Sequence, residues 1–210
     1  MSSYVVGVDV GQRVDPTAIV ALETWRPAPA FVDDRPSLQH RIVWMARLPL
    51  GTFYQDIVEQ VARVAEAARE RGQTTIVLDA TGVGRPVVDM LRARTGIALR
   101  NITFTAGEKA VQDGPFDWHV PKTELVTALA VVLESYRILP ADDCPLVADL
   151  QAELSTFDRR ISGSGHTTYD ASSGNHDDLV AAAALACWWA ERPNVGQGYM
   201  EFLRLTAERR

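Results

Sequence analysis

Short apolar runs alternate with longer stretches of helical spacing, and this alternation gives the order of the predicted elements. Two runs, at residues 4–9 and 17–22, lie on either side of a turn at Gly11-Gln12-Arg13 and predict a β-hairpin. Three further strands are predicted at residues 41–48, 75–78 and 99–104. The run from Thr75 to Leu78 is typical of a strand that is buried on both faces of a sheet.

Helical spacing of apolar residues marks the segments between and after these strands. A capping-box pattern, Thr52 to Gln55, opens the first helix, and Pro86 stands at a plausible first position of the second. Asn175 is a good N-cap for the last. The predicted helices span about residues 52–72, 86–94, 121–136, 146–154 and 176–191.

The remaining segments are rich in proline, glycine and polar residues. Residues 26–38 and 107–117 are predicted to be loops. Glycines at 163 and 165 between strand-like flanks predict a β-hairpin from Ile161 to Ala171. The tail after Pro193 is predicted to add a short peripheral helix.

Three opening strands followed by strands that alternate with helices predict an α/β fold with a mixed central sheet. The chain has 210 residues, of which 47% are hydrophobic, and this is enough for the core of one domain. We expect a single domain over residues 1–191 and a C-terminal tail over residues 192–210.

Acidic residues stand where predicted strands end or helices begin. Asp9 and Asp79 each end an apolar strand, and the pair Asp177-Asp178 precedes an apolar helix. A carboxylate that a buried strand delivers to a sheet edge is costly unless it is paired or binds a metal ion. These residues therefore predict an oxygen-rich pocket for hard divalent cations. Asp15, before Pro16, is either a turn residue or an additional ligand.

Each of these carboxylates also has a plain structural interpretation. Asp9 and Asp79 are residue types that commonly initiate turns, and acidic residues in the first helical turn favour the helix dipole without any further role. Because adjacent helical residues point about 100° apart, only one of Asp177 and Asp178 can face a metal squarely. We expect Asp178 to be the direct ligand.

Basic residues supply weaker candidates. Lys122, in the first turn of a predicted helix, and Arg159 and Arg160, before the predicted 161–171 hairpin, are possible DNA contacts, although exposed residues of this kind are usually just solvated. The net charge of −6 argues against tight, autonomous binding of nucleic acid. It does not exclude a nuclease, since bound metal ions reverse the local charge.

Cysteine usage and apolar runs bear on location. Two cysteines form neither a metal-type pair nor a disulfide framework, and the chain starts without a secretory pattern. The longest apolar run, residues 179–190, is shorter than the roughly 20 residues of a membrane helix. The expected location is the cytoplasm, of a host cell if the protein is viral, with no membrane partner.

Taken together, these segments resemble the nuclease domain of the large terminase subunit of tailed bacteriophages, a member of the ribonuclease H-like superfamily. The residues that carry the resemblance are Gly7-Val8-Asp9-Val10-Gly11, Asp15-Pro16-Thr17-Ala18, Asp79-Ala80-Thr81-Gly82-Val83-Gly84, Pro121-Lys122, Glu153-Leu154 with Phe157, and His176-Asp177-Asp178-Leu179-Val180. The resemblance implies a ribonuclease H-like sheet with helices on both faces and an added β-hairpin.

The resemblance also implies an activity. Asp9, Asp79 and Asp178 would form the catalytic acidic triad, with Asp177 and Asp15 as supporting metal ligands. Two Mg²⁺ or Mn²⁺ ions, bridged by Asp9, would hydrolyse double-stranded DNA during genome packaging. The implied partners are a terminase ATPase motor, the small terminase subunit and the portal. The chain has no Walker A sequence, so the motor would be supplied elsewhere, and the isolated domain is expected to be monomeric.

Other functions fit parts of the same pattern. A Holliday-junction resolvase of the same fold would keep the carboxylates and act on branched DNA. An actin-like ATPase or sugar kinase would explain Asp9-Val10-Gly11, but it needs a second lobe for which 210 residues leave no room. A non-catalytic docking module for DNA or a protein partner would carry the carboxylates as remnants.

Overall fold

A computed structural model describes residues 2–11, 15–31, 36–82, 84–162 and 177–192, with only the backbone of residues 157–162. Within these ranges the chain forms eight strands and five helices. The strands are β1 Ser3–Asp9, β2 Thr17–Trp25, β3 Gln39–Leu48, β4 Gln73–Asp79, β5 Ala98–Thr105, β6 Val111–Gln112, β7 Asp117–Pro121 and β8 Ile138–Pro140. The helices are α1 Tyr54–Arg69, α2 Gly84–Arg94, α3 Lys122–Glu134, α4 Val147–Ser162 and α5 Asp178–Ala190.

The strands form one mixed sheet in the order β6-β7-β5-β4-β1-β2-β3-β8. The first three strands pair antiparallel, as the predicted hairpin requires, whereas β4 pairs with β1 in parallel and β5 pairs with β4 in parallel. The predicted class, α/β with a mixed central sheet, is confirmed. Strand β1 lies near the middle of the sheet, so its carboxyl end is flanked by β2 on one side and β4 on the other.

Side chains of β1 alternate between two separate hydrophobic clusters, as the two-residue period of a strand requires. Val6 and Val8 pack with residues of α1 and α2 on one face. Val5 belongs to the cluster on the other face, which α3, α4 and α5 cover. Both faces of the central strands are therefore buried, which explains the near-continuous apolar runs in the sequence.

Helix α5 is the central element of one face. Its residues from Asp178 to Trp188 are almost all buried, which agrees with the apolar character of the helix on every side. Gly7 of β1 lies beneath it: a Cβ atom there would stand 2.1 Å from the carbonyl oxygen of Ala182 and 3.0 Å from the Cβ of Ala186. The missing side chain lets the helix contact the strand backbone directly.

Several predicted details are wrong for identifiable reasons. The hairpin cannot begin at Ile161, because α4 continues to Ser162. Leu150, Leu154, Phe157 and Ile161 have helical spacing that extends this helix. Residues 163–171 of that prediction lie outside the described residues, as does the predicted helix after Pro193.

Two predicted helix N-caps also differ. The N-cap of α1 is Phe53, because the Thr52 hydroxyl donates to the Pro49 carbonyl oxygen instead of capping the helix. The N-cap of α5 is Asp177 and not Asn175. Strand β6, within the predicted 107–117 loop, and strands β7 and β8 were not predicted, because none has more than five residues. No helix in the described ranges has the length and hydrophobicity that a membrane crossing needs.

Candidate active site

Asp9 and Asp79 stand side by side at the carboxyl edge of the sheet. Val8 of β1 is paired with Leu78 of β4, and each aspartate is the next residue along its strand. Neighbouring strands lie about 4.8 Å apart. Asp79 lies on the same face of the sheet as Val77, and Asp9 lies on the same face as Val5. Both valines belong to the hydrophobic cluster beneath α5. Both carboxylates therefore project toward the face that α5 covers.

The start of α5 meets these strand ends. The helix crosses Gly7 at Ala182, and Asp178 lies four residues earlier, a distance of about 6 Å along the helix axis. Asp9, two residues beyond Gly7, lies a similar distance along its strand. Asp178 is only 2% exposed, and the N-cap residue Asp177 has a side chain that is 26% exposed. The apolar helix thus carries two acidic residues to the sheet edge.

The electrostatics of Asp9 depend on the other three carboxylates. Burial raises the pKa of Asp9 well above its usual range, and the negative charges of Asp79, Asp177 and Asp178 raise it further. Lys122 opposes this shift. A cation would bind favourably beside a buried carboxylate whose charge is disfavoured by three neighbouring aspartates.

Asp79 is held by the turn that follows its strand. Its Oδ1 atom accepts the Thr81 backbone N–H at 2.8 Å, and its backbone carbonyl faces Gly84, where an added Cβ would stand 1.8 Å away. Burial raises the pKa of Asp79 to about 6, although the Thr81 hydrogen bonds and Lys122 act in the opposite direction. The glycine allows the turn to fold back tightly against the strand end.

Arg47 of β3 is a member of the site that the sequence did not predict. The strand register pairs Asp9 with Ala18 and Ala18 with Arg47, so the three residues form a row across neighbouring antiparallel strands. The Arg47 Nε atom donates to Asp178 Oδ2 at 2.6 Å. The guanidinium also contacts Glu153 and lies 3.6 Å from Asp149 Oδ1.

Glu153 of α4 is the second residue without a predicted role. It is 8% exposed, and besides contacting Arg47 it accepts the Val180 backbone N–H at 3.1 Å, in the first turn of α5. Burial raises its pKa to about 7 despite that hydrogen bond and the Arg47 charge. The sequence signal was present: Glu153 follows Leu150 by three residues, on the apolar side of a predicted helix.

The other predicted site residues have different outcomes. Lys122 forms an ion pair with Asp177, at 3.2 Å between Nζ and Oδ2. Asp15 is exposed and lies outside the strands, with its backbone carbonyl facing Gly11. Arg159 and Arg160 belong to α4, and their side chains lie outside the described residues.

The donor set has the chemistry of a site for Mg²⁺ or Mn²⁺, because these ions prefer carboxylate oxygens. Within the described ranges, however, no three histidine, cysteine, aspartate or glutamate side chains are close enough together to hold a metal ion. Two of the carboxylates are held by cations of the chain, Asp178 by Arg47 and Asp177 by Lys122. The residue types fit a metal ion, and the ligands are not gathered around one position.

No protein-family model matches the chain, and no curated protein matches it. Among solved structures, the terminase nuclease domain of human cytomegalovirus is similar over 89% of this chain and 82% of that chain, with 12% identity and a TM-score of 0.48. The RuvC structure of Thermus thermophilus is similar over 88% of this chain and 91% of that chain, with 14% identity and a TM-score of 0.39. At these identities the similarity concerns the fold alone.

Proposed function

We propose that the protein is a metal-dependent nuclease and that the carboxylates at the edge of β1 and β4 are its active site. The observation that supports this best is the surroundings of Asp9, whose pKa is raised by burial and by three further aspartates. Burial of Asp9 beside these negative charges costs the fold stability, and a bound cation would offset that cost.

In this proposal Asp9, Asp79 and Asp178 hold two divalent ions, Mg²⁺ or Mn²⁺, and Asp177 supports them. Such ions lower the pKa of an attacking water and stabilise the leaving oxygen of a phosphodiester. The chain itself fixes the carboxylates: the Thr81 N–H orients Asp79, and the start of α5 positions Asp178. Asp15 is a weaker candidate, because it is exposed and lies outside the strands.

The proposed substrate is double-stranded DNA, and the proposed context is terminase-type cleavage of viral DNA during packaging. The ordered motifs from Gly7-Val8-Asp9 to His176-Asp177-Asp178 support this. An ATPase motor, a small terminase subunit and a portal are then the proposed partners. Because contacts to metal ions and phosphates carry no base information, weak sequence preference is expected.

The test is cleavage of supercoiled plasmid with Mn²⁺, Mg²⁺ or EDTA by the wild type and by Asp9→Ala and Asp178→Ala. Loss of an outer partner of a metal ligand costs 10–100-fold, so loss of a ligand itself should cost at least about 100-fold in cleavage rate. Asp89→Ala is the matched control, because the Asp89 side chain is 74% exposed on α2.

Cleavage that survives both substitutions, or that is absent with every metal, would contradict the proposed active site. A four-way junction offered beside linear duplex separates two kinds of nuclease. If the protein strongly prefers the junction, junction resolution becomes the proposed activity in place of terminase-type cleavage. The carboxylates remain the proposed active site in that case.

A further inference from the structure

Two cations of the chain lie within the acidic site. Arg47 donates to Asp178 at 2.6 Å, and Lys122 contacts Asp177 at 3.2 Å. Both side chains are largely shielded from solvent, with 23% and 33% exposure. These are not the flexible surface pairs that contribute little to a protein. They neutralise the two acidic residues that α5 brings to the sheet.

The register places Arg47 where only a small neighbour separates it from Asp9. Ala18 lies between the two residues in the row across the sheet, so no bulky side chain stands between the guanidinium and the carboxylates. A guanidinium is always charged and donates up to five hydrogen bonds from a planar fork. It therefore occupies the Asp178 Oδ2 atom, a carboxylate oxygen of the proposed metal ligands.

Arg47 also has anchors that do not belong to the proposed metal ligands. Its guanidinium contacts Glu153, which is bound to the Val180 N–H, and it lies 3.6 Å from Asp149. If Arg47 left Asp178, its contacts with these two side chains of α4 would remain. The side chain can thus lose one partner without becoming an unpaired charge in a partly buried place.

We infer that Arg47 and Lys122 are internal counter-cations, which bind Asp178 and Asp177 in the metal-free protein and release them when divalent ions bind. The inference rests on the proposed function and adds residues that control metal loading. It also explains why the four carboxylates do not surround one position. Two of them are already bound to cations of the chain.

The alternative role, in which Arg47 only positions Asp178 for the metal, predicts the opposite change in affinity. A positioning residue strengthens metal binding, so its removal weakens binding. A competing cation weakens metal binding, so its removal strengthens binding, because a positive charge no longer opposes the incoming ion. The direction of the change in affinity therefore separates the two roles.

The experiment is calorimetric titration of Mn²⁺ into the full chain, as the wild type, Arg47→Met and Arg94→Met. We expect Arg47→Met to bind Mn²⁺ at least about threefold more tightly than the wild type. Arg94→Met is the matched control: it removes the same charge and two ion pairs, to Glu59 and Glu66, on the exposed surface of α1 and α2. Its affinity for Mn²⁺ should equal that of the wild type.

Thermal unfolding of the same proteins is a second readout. In EDTA, Arg47→Met should unfold at a lower temperature than the wild type, because Asp178 loses its counter-cation. Addition of Mn²⁺ should raise its unfolding temperature more than that of the wild type. If Arg47→Met does not fold, Lys122→Met tests the same inference at Asp177 and should also bind Mn²⁺ more tightly.

Equal or weaker Mn²⁺ binding by Arg47→Met, or by Lys122→Met in its place, overturns the inference. The proposed function stands in that case if Asp9→Asn still abolishes Mn²⁺ binding. If Mn²⁺ binding is absent in the wild type, or is unchanged in Asp9→Asn, the proposed metal site fails, and the counter-cations have no ion to exchange with.

Discussion

At the scale of single residues, the unusual feature of this protein is a buried glutamate whose proton affinity is raised. Glu153 has a pKa of about 7 against an ordinary value of 4.5, because burial disfavours its charge. Between these two values the folded protein holds a proton that the unfolded chain has released. Stability therefore falls as the pH rises through this window.

Asp79, with a pKa of about 6, adds to the effect in the same direction. For the metal-free protein we expect the free energy of unfolding to fall by about 4 kcal/mol between about pH 5 and pH 8. Urea unfolding at a series of pH values measures it. Glu153→Gln should flatten the dependence, whereas Glu66→Gln, at a side chain that is 44% exposed, should leave it unchanged. A stability that rises over this range would contradict the assigned pKa values.

Sequence patterns identified some residues of the candidate site and missed others, and one reason explains both outcomes. Asp9 and Asp79 are marked by their own strands, and Asp178 by its own helix, so local patterns suffice. Arg47 contacts Asp178 across 131 residues of sequence and Glu153 across 106. Nothing local indicates such pairings, because they depend on which strands and helices become neighbours in the fold.

At the scale of elements, the packing of α5 on β1 sets the position of the site. Gly7→Ala would place a Cβ atom 2.1 Å from the Ala182 carbonyl oxygen, so the helix would have to move away from the strand. Overpacking of this kind costs about 1–3 kcal/mol. We expect Gly7→Ala to lower the free energy of unfolding by that amount and to reduce Mn²⁺ affinity.

Gly96→Ala is the matched control for this change, because an added Cβ there meets no atom within 4 Å. Denaturant unfolding and calorimetry of both variants make the comparison. A Gly7→Ala protein as stable as Gly96→Ala would show that the helix does not need this close contact.

The longer elements were predictable because each carries several turns or alternations of its own pattern. Five strands and five helices of the described chain have a predicted counterpart. Strands β6 and β8 have two and three residues, too few for any period to be visible. Their existence depends on pairing with β7 and β3, and the order of strands in the sheet is likewise a tertiary property.

At the scale of the whole molecule, net charge limits the affinity of the protein for DNA. The chain carries a net charge of −6, and its proposed active site is acidic. In EDTA we expect the affinity for duplex DNA at physiological salt to be weaker than about 1 μM and to fall steeply between about 50 mM and 200 mM salt. Fluorescence anisotropy measures both, and nanomolar binding without metal would contradict the expectation.

The place of α5 in the chain order has a consequence for synthesis. Among the described residues, the strands of the sheet all lie within the first 140 positions, whereas Asp178 and the helix that covers one face of β1 follow them. A nascent chain whose strands have already left the ribosome therefore lacks one of the three proposed catalytic aspartates. If the protein cuts DNA, the centre that cuts is completed only after α5 has left the ribosome and packed on β1.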